Sequence, residues 1–178
     1  VVTGAGSSWT NSSPLYVGNN GTGTLTLSDQ AVVSATAVTI ANAGGSTGTL
    51  NIGAATGQSA VAAGTLSTPT VTFGSGTGIL LFNHTSTEAS PYTFAPDITG
   101  AGTITAEGGW TNLTGDLSGF TGTASATATG AVLNIGASYG GNLAVGTGGT
   151  IAANDTVSGT VTVNSGGTLK GTGTVGDT

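Results

Sequence analysis

Short stretches of alternating apolar and polar residues recur along the chain. Each reads apolar, variable, apolar, small, and the variable position is usually Thr, Asn, Tyr or Ala. A period of two residues is typical of a β-strand with one buried face, and the apolar residues are the aliphatic and β-branched types that suit strands. The copies are LYVG at Leu15, LTLS at Leu25, VTIA at Val38, LNIG at Leu50, VTFG at Val71, LNIG at Leu133, LAVG at Leu143 and VTVN at Val161. This pattern predicts an all-β chain of many short strands, because no helical stripe survives the frequent glycines.

Glycine followed by Thr and an apolar residue is a second recurring feature. Glycine adopts the positive φ that sharp corners require, and without a β-carbon it lets one corner lie close to the next. The spacing is loose, which suits a coil whose corners differ in length. GTL begins at Gly23, Gly48, Gly64 and Gly167, GTI at Gly102 and Gly149, and GTV at Gly159 and Gly173.

Two architectures accept many short strands separated by glycines: an antiparallel sandwich or barrel, and a parallel β-helix. Antiparallel hairpins would carry two-residue NG or DG turns between strands, and NNGTG at Asn19 is the clear example. The sequence therefore favours a single-stranded parallel β-helix, or β-solenoid. A period of about 25 residues gives roughly seven rungs and a rod about 35 Å long.

Composition narrows the possible partners and location. The chain has 178 residues, of which 4% are charged, and its formal net charge is −6 with Lys170 as the one base. This balance argues against nucleic acid or an anionic membrane as a partner, since both require clustered Lys and Arg. The absence of Cys precludes disulfides and, with the uncharged polar composition, favours the outside of a bacterial cell. No apolar run approaches the ~20 residues of a membrane-spanning helix.

One segment departs from the repeated pattern. Residues 82–97 contain the sole His, two of the four prolines and three aromatic residues. Because proline cannot donate to a strand ladder, Pro91 and Pro96 predict a loop or excursion near 82–97. Both flanks continue the same pattern, so residues 1–178 are expected to form one β-helical segment. The chain begins at Val1 without Met, and we expect it to be a piece of a larger protein.

Several longer stretches resemble the passenger region of bacterial type V autotransporters. They are GAGSSWTNSSPLYVGNNGTGTLTLSDQAVVSA at Gly4, FNHT at Phe82, ITGAGTI at Ile98, LTGDLSGFTGT at Leu113 and GTVTVNSGGTLKGTGTVGDT at Gly159. The last looks like a passenger-associated transport repeat, which implies a part in export and folding. The resemblance also implies a right-handed β-helix at the cell surface, with a C-terminal outer-membrane barrel outside this chain. Its expected roles are adhesion, autoaggregation or biofilm formation, and its expected partners are a host-cell surface, a glycan or like passengers.

Chemical motifs give little support to catalysis or cofactor binding. A triad would have to recruit His84 with Asp97 or Glu88, but no GxSxG elbow occurs. The dispersed acids leave a carbohydrate-active β-helix, a polysaccharide lyase or hydrolase, as the alternative, since stacking can bring two acids together. The glycine repeats lack the Asp spacing of calcium repeats, and no helix follows them to bind a phosphate. We therefore expect no catalytic residues, metal or cofactor.

Large amphipathic rings are the candidate contacts for a ligand or an interface. Rings beside polar corners can stack on sugars or anchor a partner, although they can equally cap or fill the wider ends of a coil. The candidates are Trp9, Tyr16, His84, Tyr92, Trp110 and Tyr139. In the C-terminal stretch, Lys170 is expected to point to solvent, and the expected core residues are Val161, Val163, Leu169 and Val175.

Overall fold

The computed structural model describes residues 1–176, and these form β-strands without any helix. The described part of the chain accordingly contains no helix able to cross a membrane. The strands are β1 (Val2–Thr3), β2 (Ser8–Thr10), β3 (Leu15–Val17), β4 (Thr22–Ser28), β5 (Val32–Ser34), β6 (Val38–Ile40), β7 (Thr47–Gly53), β8 (Thr65–Ser67), β9 (Thr70–Phe73), β10 (Thr77–Asn83), β11 (Tyr92–Phe94), β12 (Asp97–Thr99), β13 (Thr103–Gly108), β14 (Trp110–Leu113), β15 (Thr123–Ala126), β16 (Val132–Ile135), β17 (Asn142–Val145), β18 (Thr150–Ala153), β19 (Val161–Val163) and β20 (Thr168–Lys170).

These strands form four sheets in which neighbouring strands are parallel. The eight-stranded sheet has the order β1-β4-β7-β10-β13-β15-β17-β19, and the strands that lie along the chain between two consecutive members belong to the other sheets. The other sheets have the orders β2-β5-β8, β3-β6-β9-β12 and β11-β14-β16-β18-β20. The chain therefore circulates through the sheets and advances by one strand at each return, an arrangement consistent with a β-solenoid. We call the residues from one strand of the eight-stranded sheet to the next a coil.

The coils shorten toward the C-terminal end. In the first coils Leu25 pairs with Leu50, and Leu50 pairs with Leu80. Near the other end Leu143 pairs with Val161, a clearly smaller separation along the chain. The period predicted from the sequence fits the first coils, while the later coils have shorter connections between strands.

The repeated four-residue pattern marks strands throughout the chain. All eight copies lie on strands, and in seven of them the first and third residues are buried. Stacked inward side chains form one continuous core that includes Leu27, Ile52, Phe82 and Ala106. The prediction of an all-β, parallel, coiled chain is confirmed at this level.

A column of glycines runs across the eight-stranded sheet, near the first residue of each of its strands from β4 to β19, where the chain turns a corner. The strand register aligns Gly23 with Gly48 and Gly48 with Gly78. The pairing of the later strands aligns the other glycines of the column in the same way. A β-carbon at any of these positions would overlap a neighbouring backbone or the Phe73 ring. Close approach of atoms from the same coil or from the preceding one, not turn geometry alone, thus requires glycine here. The column contains Gly23, Gly48, Gly78, Gly102, Gly122, Gly141 and Gly159.

Aromatic rings fill the space that this glycine column leaves. The Phe73 ring lies against Gly78 and Gly102. Phe73 and Phe120 have ring centroids 5.5 Å apart, and Phe120 and Tyr139 have centroids 5.6 Å apart. These tilted contacts form an aromatic column inside the corner, where large rings bury the most apolar surface.

The C-terminal stretch differs from its expected burial. Val163 is 46% exposed and Val175 is 42% exposed, while Val161 and Leu169 are half-buried. The prediction that all four belong to the core is wrong for Val163 and Val175, because they lie on the last described coil and no described strand covers them. Asp177 and Thr178 lie outside the described residues.

Candidate functional site

Strands β2, β5 and β8 stack in one column, and this column is interrupted between β8 and β11. Strand β8 is the last strand of the three-stranded sheet, and β11 is the first strand of the five-stranded sheet. Two cavities of about 610 and 550 Å³ lie at this interruption, and both are lined by Thr65 and Thr93. We call this depression the split groove.

The interruption has a cause in the alternation of side chains. In β8, Leu66 points inward between Thr65 and Ser67, whereas in β11 Thr93 points outward between two inward rings. The following strands pair Thr70 with Asp97, and this register would place Leu66 opposite Thr93. An inward residue would then face an outward one, and a ladder cannot tolerate a slip of one residue.

Most of the residues that line the split groove are polar and uncharged. Its two cavities touch no charged side chain. Apolar contacts come from Pro69, Pro91, Pro96 and four alanines, together with Leu66 and the Tyr92 ring. The polar lining includes Asn11, Gln30, Ser34, Thr36, Ser67 and Thr93.

Tyr92 joins the two sides of the interruption. Its ring packs 5.2 Å from His84 and 6.2 Å from Phe82, centroid to centroid. Burial raises the pKa of Tyr92 to about 12, and a backbone hydrogen bond with Leu66 opposes that rise. Tyr92 therefore keeps its proton at neutral pH, and it lines one of the two cavities.

His84 lies behind this surface, within the core. Its Nε2 is 2.8 Å from Thr111 Oγ1, and its Nδ1 accepts a hydrogen bond from the Ser86 backbone N–H at 3.3 Å. Burial lowers the pKa of His84 to about 4, so the imidazole is neutral at physiological pH. With 1% of its surface exposed, His84 serves packing and local backbone order in this fold.

The remaining candidate rings are dispersed. Trp9 is in register with Val33 and Leu66, two inward residues, so it stands over the core at the first coil and is 41% exposed there. Tyr16 points outward and is 48% exposed. Tyr139 is fully buried, its hydroxyl donates to the Asn142 carbonyl at 3.3 Å, and burial raises its pKa far above the usual range.

Trp110 lies on the outer face of the five-stranded sheet beside the one base of the chain. The Lys170 Nζ is 4.9 Å from the centroid of the Trp110 ring, a cation–π contact. Lys170 is exposed, as expected, but its ammonium group is held over an aromatic face. On the same face, Asn134 Nδ2 donates to Asn112 Oδ1 at 3.1 Å.

Two acidic residues, Asp97 and Asp116, lie on neighbouring coils outside the groove and are joined by a hydrogen bond. Asp97 Oδ1 accepts the Asp116 backbone N–H at 2.8 Å, and Asp116 Oδ1 accepts the Ser118 N–H at 2.9 Å. Hydrogen bonds from Ser118 hold the pKa of Asp116 below its usual value. A polysaccharide hydrolase that uses two carboxyl groups requires a proton donor whose pKa is raised. The pKa of Asp116 is shifted in the opposite direction. Within residues 1–176, no three acidic or histidine side chains are placed to bind a metal ion.

The sequence pattern named one residue of the groove, Tyr92, and missed the rest. The groove depends on a one-residue phase difference between β8 and β11, which appears only when the strands are placed in register. The available signal was the spacing of Pro69, Pro91 and Pro96, together with the loss of the repeated pattern in residues 82–97. Within that segment, Phe82, His84 and Phe94 are buried, while residues 85–91 form the rim beside the groove.

Comparisons with known proteins give one informative relative. Over 89 residues the chain is 42% identical to the Uncharacterized lipoprotein YdeK of Escherichia coli (strain K12). The match covers 48% of this chain and 7% of that protein, so the chain spans a small part of its relative's length. No family model and no solved structure matches the chain.

Proposed function

We propose that this chain is a segment of a type V autotransporter passenger, displayed on the outside of the bacterial outer membrane. In this proposal it is a right-handed parallel β-helix of about seven rungs that acts as a stalk in adhesion, autoaggregation or biofilm formation. The observation that carries the proposal is the eight-stranded parallel sheet, whose outer face presents uncharged residues along the stack.

Hydroxyl side chains recur on that outer face, and two apolar residues of β10, Ile79 and Leu81, interrupt their columns. Thr24 is aligned with Thr49, and Thr103 with Thr123, at the strand spacing of about 4.8 Å. The adjacent column aligns Thr105 with Ser125. Hydroxyls repeated along a rod support multivalent contact, in which individually weak bonds add along the length. The acids lie elsewhere or at the rim, where Glu107 binds the loop of residues 54–60.

Location and export have separate support. The relative YdeK is named a lipoprotein, which supports a place in the cell envelope for a chain that shares this stretch with it. A chain without Cys forms no disulfides, so it can cross a narrow pore unfolded and add coils one after another outside. The C-terminal stretch, residues 159–178, is then expected to assist folding during export.

Surface display in the intact protein tests this proposal. An epitope tag is inserted at residues 55–59, an exposed loop, and cells are treated with antibody or external protease. The proposal predicts labelling without permeabilisation, and faster settling of wild-type cells than of cells lacking residues 1–176. Protection of the tag in intact cells, with cleavage after the outer membrane is opened, would contradict it. Deleting residues 159–178 should reduce surface display.

The alternative function is enzymatic: a carbohydrate-active β-helix, that is, a polysaccharide lyase or hydrolase. Asp97 and Asp116 are acidic residues on neighbouring coils, where the Asp97 carboxylate accepts the Asp116 backbone N–H. Release of reducing sugar from a polysaccharide panel, abolished by Asp97→Asn together with Asp116→Asn, would favour this alternative over the stalk. The handedness and number of rungs are decided by an experimental structure.

A further inference from the structure

We propose that the split groove binds a neutral oligosaccharide that lies along the stack of coils. This deepens the proposed function and rests on it for the source of the ligand, because a groove on a surface stalk faces glycans of other cells. The argument uses the direction of the groove, the chemistry of its lining and the rigidity of its walls.

The groove crosses strands and does not follow them. One of its cavities touches Asn11, Ser34, Ser67 and Thr93, which belong to four successive coils. Its long direction is therefore parallel to the stack, with coils about 4.8 Å apart. A peptide that paired with the edge of β8 or β11 would run along the strands, across this direction. The direction favours an elongated ligand that contacts side chains of successive coils.

The lining selects against charged ligands. In a chain of net charge −6, the groove contains no cation to neutralise a sulfate, phosphate or carboxylate. It also contains no carboxylate to pair with a cationic ligand. Hydroxyl and amide side chains both donate and accept hydrogen bonds, as sugar hydroxyls do.

Apolar patches complete the match with a sugar. Pro91 and Tyr92 line one cavity, and Pro69 and Pro96 line the other. Rings that are apolar in body and polar at one end suit the C–H faces and hydroxyl edges of a pyranose. Each cavity, at about 610 and 550 Å³, is within the range of small-molecule sites.

The walls are held by strands. Strand β8 and the residues that join it to β9 form one side, and β11 and the residues that join it to β12 form the other. Strand β9 pairs with β12, and β11 pairs with β14, so both sides are fixed below the interruption. A preformed groove loses little conformational entropy when a ligand binds, which favours weak but repeated recognition.

Calorimetric titration of the chain with neutral oligosaccharides tests the inference. The panel contains linear glucose, xylose, mannose and galactose oligomers, with sulfated and uronic-acid oligomers and an unstructured Ser/Thr-rich peptide as competitors. We expect at least one neutral oligomer to bind, and the charged oligomers and the peptide to bind at least about tenfold more weakly. No binding by any neutral oligomer, or tighter binding by the peptide, would overturn the inference.

Two variants each place a charge in the split groove. Thr93→Glu and Ser67→Lys change exposed positions of β11 and β8. Each should weaken binding of the neutral oligosaccharide at least about tenfold. Thr168→Glu, at an exposed position of β20 that lines neither cavity, is the matched control and should bind as wild type. Two folded groove variants with wild-type affinity would overturn the inference. Glycan binding without surface display would refute the proposed function alone, and display without binding would refute the groove alone.

Discussion

His84 and Thr111 lie on successive coils, and His84 Nε2 is 2.8 Å from Thr111 Oγ1, with both side chains buried. Because Nδ1 accepts the Ser86 N–H, the proton of the neutral ring is on Nε2 and is donated to Thr111. This contact stabilises the neutral imidazole in the folded chain.

The first prediction is a loss of stability in mild acid. The pKa of His84 is about 4 when folded and about 6.5 when unfolded, so the unfolded chain binds more protons between these values. Stability is full above about pH 6.5 and falls as the pH decreases toward 4. The free energy of unfolding should decrease by about 2 kcal/mol between pH 7.5 and 5.0.

Urea unfolding at the two pH values measures this change. His84→Gln has the same carboxylates and lacks the titrating ring, so it should lose less than half as much stability over the same range. An equal pH dependence in the variant would exclude His84 as the cause.

The glycine column gives the second prediction. A β-carbon at Gly122 would overlap backbone atoms of Gly102, which no side-chain rotation can relieve. Gly122→Ala should therefore lower the free energy of unfolding by about 3 kcal/mol. At Gly21 a β-carbon meets nothing within 4 Å, so Gly21→Ala should be neutral or slightly stabilising. Equal effects of the two variants on the urea midpoint would show that the coils are not in close contact.

The aromatic column gives the third prediction. Phe120 is fully buried between Phe73 and Tyr139, and its removal leaves a cavity that backbone contacts on both sides keep open. Phe120→Ala should cost about 3–5 kcal/mol, whereas Tyr16→Ala, at a half-exposed ring, should change stability by about 0.5 kcal/mol or less. Thermal unfolding followed by circular dichroism compares them. A small loss for Phe120→Ala would mean that this column does not support the corner.

A local loop gives the fourth prediction. The Glu107 carboxylate accepts hydrogen bonds from the Thr56 hydroxyl and from the Gly57 N–H, the latter at 3.1 Å. Asn83 Nδ2 holds the same loop through the Ala55 and Gln58 carbonyls. Glu107→Ala should speed amide exchange in residues 54–60 about tenfold and leave the melting temperature nearly unchanged. Asp155→Ala is the control, and equal exchange in both variants would refute this role of Glu107.

The sequence predicts the strands better than their grouping into sheets. Pairs such as Leu25 and Leu27 occupy inward positions because a period of two residues fixes which face is buried. The marker glycines Gly23, Gly48, Gly102 and Gly159 belong to one column, but Gly78, Gly122 and Gly141 join it without the GTL, GTI or GTV pattern. At Gly122 and Gly141 the requirement comes from the preceding coil, and at Gly78 it comes from the Phe73 ring, contacts that sequence spacing alone does not reveal.

The groove was beyond the reach of pattern analysis for a related reason. Leu66 and Thr93 each fit a normal strand, and only their relative phase prevents pairing. Burial of His84 and Tyr139 was also hidden, since a polar ring on a strand is compatible with either face until its neighbours are known. Contacts between residues far apart along the chain decide these features.

Distances between spin labels test the parallel stacking of coils most directly, and the absence of native Cys makes the labelling specific. Thr24, Thr103, Thr123 and Asn142 occupy one column of the eight-stranded sheet. Cysteine pairs that join Thr24 to Thr103, to Thr123 and to Asn142 span three, four and five strand spacings. Electron paramagnetic resonance should give distances of about 14, 19 and 24 Å, an increase of about 4.8 Å per step. Distances that do not rise evenly in this order would contradict the stacked, parallel arrangement.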